Sequence, residues 1–180
     1  MSKELEDCSE DSTWRGQLHI ELAELERVGE KIAETETKLD KLAKDDKHIR
    51  LLRTIKGVGP RLSEAVAAFL DEPNRFSSCK QVGSYAGLTP KQYQSGSMDR
   101  QGRISGEGNK LLRSLLVEVS WLGLLHNSWM RETYHRVLRG SASRKKIAIT
   151  AVARKLLVRC WAMMRDGTEW REVKQPKDAA

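Results

Sequence analysis

Cysteine is scarce. Cys8, Cys79 and Cys160 are the only three in 180 residues, far apart, with no Cys-x-x-Cys pair and no histidine cluster beside them. That spacing excludes a disulfide framework and gives no zinc signature, so the expectation is reduced thiols in a cytoplasmic protein. Long apolar runs are missing too. None approaches the roughly 20 residues that cross a bilayer, so no membrane partner is expected. The opening "MSKELEDCSEDSTW" is acidic and polar, unlike a secretory signal. Aromatics make up only 6% of the chain, but apolar residues reach 39%, enough for a modest core. There are four prolines, none between residues 14 and 42.

Charge is plentiful and unevenly spread. Residues 1–47 hold 8 Lys/Arg and 14 Asp/Glu, a net of −6. The rest of the chain holds 24 and 11, a net of +13, giving +7 overall. A strongly basic segment has a phosphate backbone as its natural partner.

Residues 1–12 read as a disordered tail, and 172–180 as a second. Over 13–47 the spacing predicts a coiled-coil helix. Its seam is Trp14, Leu18, Glu21, Leu25, Val28, Ile32, Thr35, Leu39 and Leu42, of which seven of nine are apolar. Either a second chain or the chain's own C-terminal helices must cover such a stripe. The reading favours self-association through residues 14–42.

Residues 48–72 read as a helix-hairpin-helix. A first helix ends at Ile55 or Lys56, Gly57-Val58-Gly59 turns, and Pro60 takes a favoured first-turn position. Leu62, Ala65, Val66 and Phe69 form the buried face of the second helix. Residues 73–171 read as a helical domain. It has a short helix closing near Gly87 and capped by Ser77 or Ser78, and an apolar, central core helix from Asn109. A polar segment follows from His126 to Gly140. The last helix, about 144–165, buries Ile147, Ala151, Val152, Leu156, Cys160 and Met163. It exposes Arg144, Lys145, Arg154, Lys155 and Arg159, and stops at Gly167. No strand signal is strong, so the predicted fold is mostly α: a long N-terminal coiled-coil helix, then a compact helical domain with a polar catalytic-type loop.

Two stretches carry chemistry. In "IKGVGPRL" the glycines permit positive φ and close approach, and the new helix start offers unpaired N–H groups. Lys56, Gly57, Val58, Gly59 and Arg61 are therefore candidate DNA-backbone contacts, of the kind that position a protein without reading sequence. In "QYQSGSMDRQGRISGEGNKLLR" serines lie in a cationic loop ahead of a helix start. Arg100, Arg103, Lys110 and Arg113 would surround a phosphate, and serine needs such activation to act as a nucleophile. A basic loop that only binds phosphate would look the same.

The ordered motifs GVGP, GLTP, QSG, GRIS, GN-x-x-LR and DGTEW, over residues 48–171, resemble the C-terminal half of the insertion-sequence one-ten, or eleven-eleven, family of transposases. The preceding coiled coil suits that family. The resemblance implies a DNA recombinase whose serine attacks a DNA phosphate and forms a covalent phosphoserine link. It gives Ser95 the nucleophile's position, with Ser97 and Ser105 as weaker candidates, and makes Arg103, Asn109 and Arg113 DNA or phosphate contacts. It also implies a guide RNA as a second nucleic-acid partner. Family members pair this half with a RuvC-like domain whose four acids bind metal. No such domain is legible here, so Mg2+ is expected only in that missing domain, and no metal or other cofactor on this chain. The expected function is the DNA-binding, serine-supplying part of a transposase that is inactive without a RuvC-like half. The alternative is a non-enzymatic DNA-binding or dominant-negative subunit that pairs with intact transposase.

Overall fold

A computed structural model describes residues 12–95 and 98–171. The predicted tails, apart from Ser12, lie outside them. The chain divides into two units, residues 1–42 and 43–180.

The described residues of the first unit form one helix. α1 runs Ser12–Ala43, about 48 Å at 1.5 Å per residue. Leu18, Leu25, Val28, Ile32, Leu39 and Leu42 are all exposed along it. At the polar seam position Thr35 the hydroxyl donates to the Lys31 carbonyl, 2.7 Å away, and so stays with its own helix. α1 ends four residues short of the expected boundary because Asp46 starts a new helix. Its carboxylate accepts from His48 N and Ile49 N at 2.7 and 3.0 Å.

The second unit is a helical body. α2 (Lys47–Leu52) and α3 (Pro60–Leu70) are joined by a tight turn. A 3-10 turn, Pro73–Arg75, leads to α4 (Cys79–Tyr85), which Ser78 caps by accepting from Gln81 N. Then come α5 (Lys110–His126), α6 (Ser128–Leu138) and α7 (Lys145–Asp166). α7 stops at Gly167 with φ 63°, as its sequence requires.

The centre of the body is α7, not α5. α7 packs against α2, α3, α4, α5 and α6. Val152, Ala153, Leu156, Leu157 and Cys160 are fully buried along it. Small residues at 148, 153 and 160 let neighbours approach from several sides. α5 buries Leu112, Leu116, Ser120 and Gly123 but exposes Leu111, Leu122 and Leu125. Its near-continuous apolar sequence is therefore only partly core. Ile147, expected inside, is exposed at the start of α7, and Ala151 is half-buried. Arg154, Lys155 and Arg159, expected outside, are half-buried.

Two further expectations are corrected. The polar segment 126–140 is mostly helix: Asn127 caps α6, which buries Met130, Thr133 and Tyr134. The long loop holds two strands, β1 (Pro90–Ser95) and β2 (Met98–Ile104), paired antiparallel.

Candidate nucleic-acid interface

The turn between α2 and α3 is fixed from behind. Gly57 has φ +88°, and an added Cβ would meet Gly123 Cα at 3.2 Å, so both conformation and space demand glycine. The Lys56 carbonyl accepts a 3.0 Å hydrogen bond from Asn127 Nδ2. Val58 is buried, and its N–H is spent on the Ile55 carbonyl at 3.0 Å. What this turn can offer a phosphate thus comes from Gly57, Gly59 and the first turn of α3, where Pro60 sits at the helix start. Arg61 is held to Glu64 at 2.7 Å, which neutralises part of its charge. Lys56 is exposed beside the turn.

The two ends of the 88–108 excursion meet at one crossing. Asn109 N donates to Tyr85 O at 3.1 Å, Gly106 N to Gly87 O at 3.2 Å, and Ser105 N to Thr89 O at 2.8 Å. A Cβ on Gly108 would overlap Tyr85 O, Gly87 N and Ala86 C. Gly87 has φ +66° and faces the same crossing. Arg113 Nη1 reaches in from α5 and donates to Ala86 O at 3.0 Å and Gly108 O at 3.3 Å. Asn109 Oδ1 accepts from Leu112 N at 2.9 Å and caps α5. These bonds give Asn109 and Arg113 a scaffold role that the sequence reading did not foresee.

From this crossing the ribbon projects. Its register pairs Pro90 with Ile104, Gln92 with Gln101, Tyr93 with Arg100, and Ser95 with Met98. Between the first two pairs β2 spends one residue more than β1, an irregularity that raises local twist. Ser95 belongs to the outermost pair, about 17 Å along β1 from Pro90 at 3.4 Å per residue. Arg100 lies two positions from that pair on β2, opposite Tyr93. Arg103 and Lys110 are exposed, and Lys91 pairs with Glu107 at 3.0 Å. The structure therefore places Ser95, Arg100 and Arg103 on one ribbon, with Lys110 near its root. The 56–61 turn is a separate feature of the same body. Of the weaker serines, Ser105 is at the crossing and Ser97 lies outside the described residues.

Residues 49–135 match the family profile described as Transposase IS116/IS110/IS902 family. The chain belongs to this transposase family through that segment. Relatives match over longer stretches. A putative transposase, y4rJ, of Sinorhizobium fredii is 35% identical over 127 residues, covering 65% of this chain and 30% of the relative. A probable family 20 transposase of Pseudomonas aeruginosa is 30% identical over 139 residues, covering 77% and 41%. A pilin gene-inverting protein of Moraxella lacunata is 32% identical over 116 residues, covering 64% and 36%. The chain thus spans about a third to two fifths of the length of these relatives.

Among the described residues, no group of three or more His, Cys, Asp or Glu is placed to hold a metal ion. No helix there is long and apolar enough to cross a membrane.

Proposed function

We propose that this chain is the DNA-engaging, nucleophile-bearing part of a transposase. One observation carries the reading: Ser95 occupies the last strand pair of a ribbon rooted in a fixed backbone crossing. A ribbon of this kind can carry a hydroxyl out to a DNA backbone while the helical body stays in place. Serine Oγ attacks phosphorus and loses its proton. The bond from phosphorus to one sugar oxygen breaks, that oxygen takes a proton, and a phosphoserine link conserves the ester for later strand joining. Arg100, Arg103 and Lys110 supply positive charge for the equatorial oxygens. Lys56, Gly57, Gly59 and the start of α3 hold backbone phosphates elsewhere on the duplex. The exposed stripe of α1 supports assembly with a second chain. The family's guide RNA would be a further partner.

The test is an SDS-resistant adduct on labelled element-end DNA, with a RuvC-like domain from a relative supplied. An adduct with the native chain and none with Ser95→Ala supports the nucleophile. An adduct that persists in Ser95→Ala overturns it. DNA binding without an adduct in any combination supports the second reading, a non-enzymatic subunit. The α1 stripe favours that reading too, because it offers a surface for mixed assembly with intact transposase.

A further inference from the structure

A cleft of about 460 Å3 lies between α4, α6 and α7, outside every residue assigned above. Its charged lining is Lys80 from α4 and Arg154, Lys155 and Arg159 from α7, with no carboxylate among the described residues that line it. Cys79, Thr89, Trp129 and Val158 complete the lining. Lys80, Arg154 and Lys155 make no hydrogen bond or ion pair among the described residues. Four cations gathered without an acid repel one another, and a fold tolerates that at a cost. Burial first, and then the nearby charges of Arg136 and Arg154, lowers the Lys155 pKa.

The cleft is also built rather than incidental. The Arg159 guanidinium is stacked 4.5 Å from the Trp129 ring centre and 4.3 Å from that of Trp170, and its Nη1 is buried with no hydrogen-bond partner. Burial lowers the Arg159 pKa. The Arg154 stem lies against Gly83, where a Cβ would stand 3.5 Å from Arg154 Cγ and Cδ, so the side chain is braced from below. Thr89, on the cleft wall, directly precedes β1.

We propose that this cleft is a second phosphodiester-binding site, taking the sugar–phosphate backbone of a nucleic-acid strand that passes the root of the ribbon. Phosphates meet Lys80, Arg154 and Lys155, and the less polar sugar face meets Val158, Thr89 and Trp129. The strand supplies the negative charge that the lining lacks. This rests on the nucleic-acid reading above and extends it to a surface that reading does not use.

The test measures binding by fluorescence anisotropy, with one labelled 30-mer sequence presented as duplex DNA, single-stranded DNA and RNA. Lys80→Gln, Arg154→Gln and Lys155→Gln combined remove three cations. Tenfold or greater weakening is expected, with a salt dependence of log affinity shallower by roughly 2 to 3 for duplex DNA. Arg154→Lys with Lys155→Arg should keep the native slope. The strand type that loses most identifies the natural occupant. Should the triple variant fold poorly, acetylation of the native chain replaces it: bound nucleic acid should protect Lys80 and Lys155. Unchanged affinity and slope, or no protection, overturns the proposal while leaving the parent reading intact, provided Arg103→Gln with Lys110→Gln weakens binding. A native chain that binds none of the three probes overturns both.

Discussion

Asn127 joins two distant parts of the chain: its Nδ2 donates to the Lys56 carbonyl 3.0 Å away, across 71 positions of sequence. The same side chain accepts from Met130 N at 3.2 Å and starts α6, and the residue is fully buried. One amide therefore closes the glycine turn and caps a helix. Asn127→Ala should lose about 1–3 kcal/mol, because a buried helix N–H is left unpaired and the bond to the Lys56 carbonyl is lost. Urea melts should show a lower midpoint with an unchanged slope. A variant as stable as the native chain would mean that water replaces both bonds.

Gly108 and Gly106 are two positions apart and should behave differently. A Cβ on Gly108 runs into main-chain atoms that no side-chain motion can clear, whereas the space around Gly106 is open despite its positive φ. Gly108→Ala should cost about 1–3 kcal/mol through backbone displacement. Gly106→Ala should cost less, about 1 kcal/mol, the penalty of left-handed backbone alone. Parallel thermal melts rank them, and equal losses would contradict the crossing.

α1 invites a change in the other direction. Nothing lies within 4 Å of a Cβ on Gly29, in the middle of the helix. Gly29→Ala should gain about 0.5–1 kcal/mol of helix stability and raise the helical circular dichroism signal. If the stripe pairs two chains, as proposed, Leu25→Lys with Ile32→Lys should convert the sedimenting species to monomer. A native chain that is already monomeric at tens of micromolar would remove the self-association proposal.

Cys160 sets an alkaline limit. The thiol is buried in the core, and burial pushes its pKa up to about 12 from an ordinary value near 9. The folded state thus keeps a proton that the unfolded chain releases. Stability from this group is complete below pH 9 and declines as pH rises toward 12, by up to about 1.4 kcal/mol per pH unit. Chemical melts at pH 8 and 10.5 should show a drop that Cys160→Ala reduces. Exposed Cys79 should react with a thiol reagent in the native protein, and Cys160 only after unfolding.

The sequence made α3 and α7 readable because each joins an apolar period to a terminal signal: Pro60 at one start, Gly167 at the other end. It misled at α5, where apolar content alone could not say which side faced a neighbour. α6 escaped notice because Arg131, Glu132, His135 and Arg136 dilute its apolar positions, although Asn127 ahead of Trp129, Met130 and Tyr134 was a usable helix start. The strands escaped because "PKQYQS" and "MDRQGRI" show no two-residue apolar alternation. The remaining hint was Gly96-Ser97, a pair suited to a two-residue strand connection, though those two residues lie outside the described ones. Arg159 was assigned to solvent because its partners, Trp129 and Trp170, come from distant stretches.

The motifs themselves are largely architectural. Gly57 of GVGP, Gly87 of GLTP, and Gly108, Asn109 and Arg113 of GN-x-x-LR all act on backbone closeness or capping. In DGTEW, Gly167 ends α7, and Trp170 packs edge-on against Trp129 while its backbone N–H donates to Thr54 Oγ1 at 3.2 Å. Among the described side chains of these motifs, exposed Arg103 and Lys110 have no such duty.

Because the strands leave and rejoin the helical body at a single crossing, the body does not register how long the ribbon is. One residue added to each strand, kept in register, would carry the outermost pair about 3.4 Å further out and turn its side chains to the opposite face, and a second would restore the face, with every helix contact left as it was. Two such steps span about 7 Å, roughly two base steps along a DNA strand. Reach is therefore a dimension this architecture can change by insertion alone: the distance from helical body to outermost strand pair is set by the length of two strands rather than by the core.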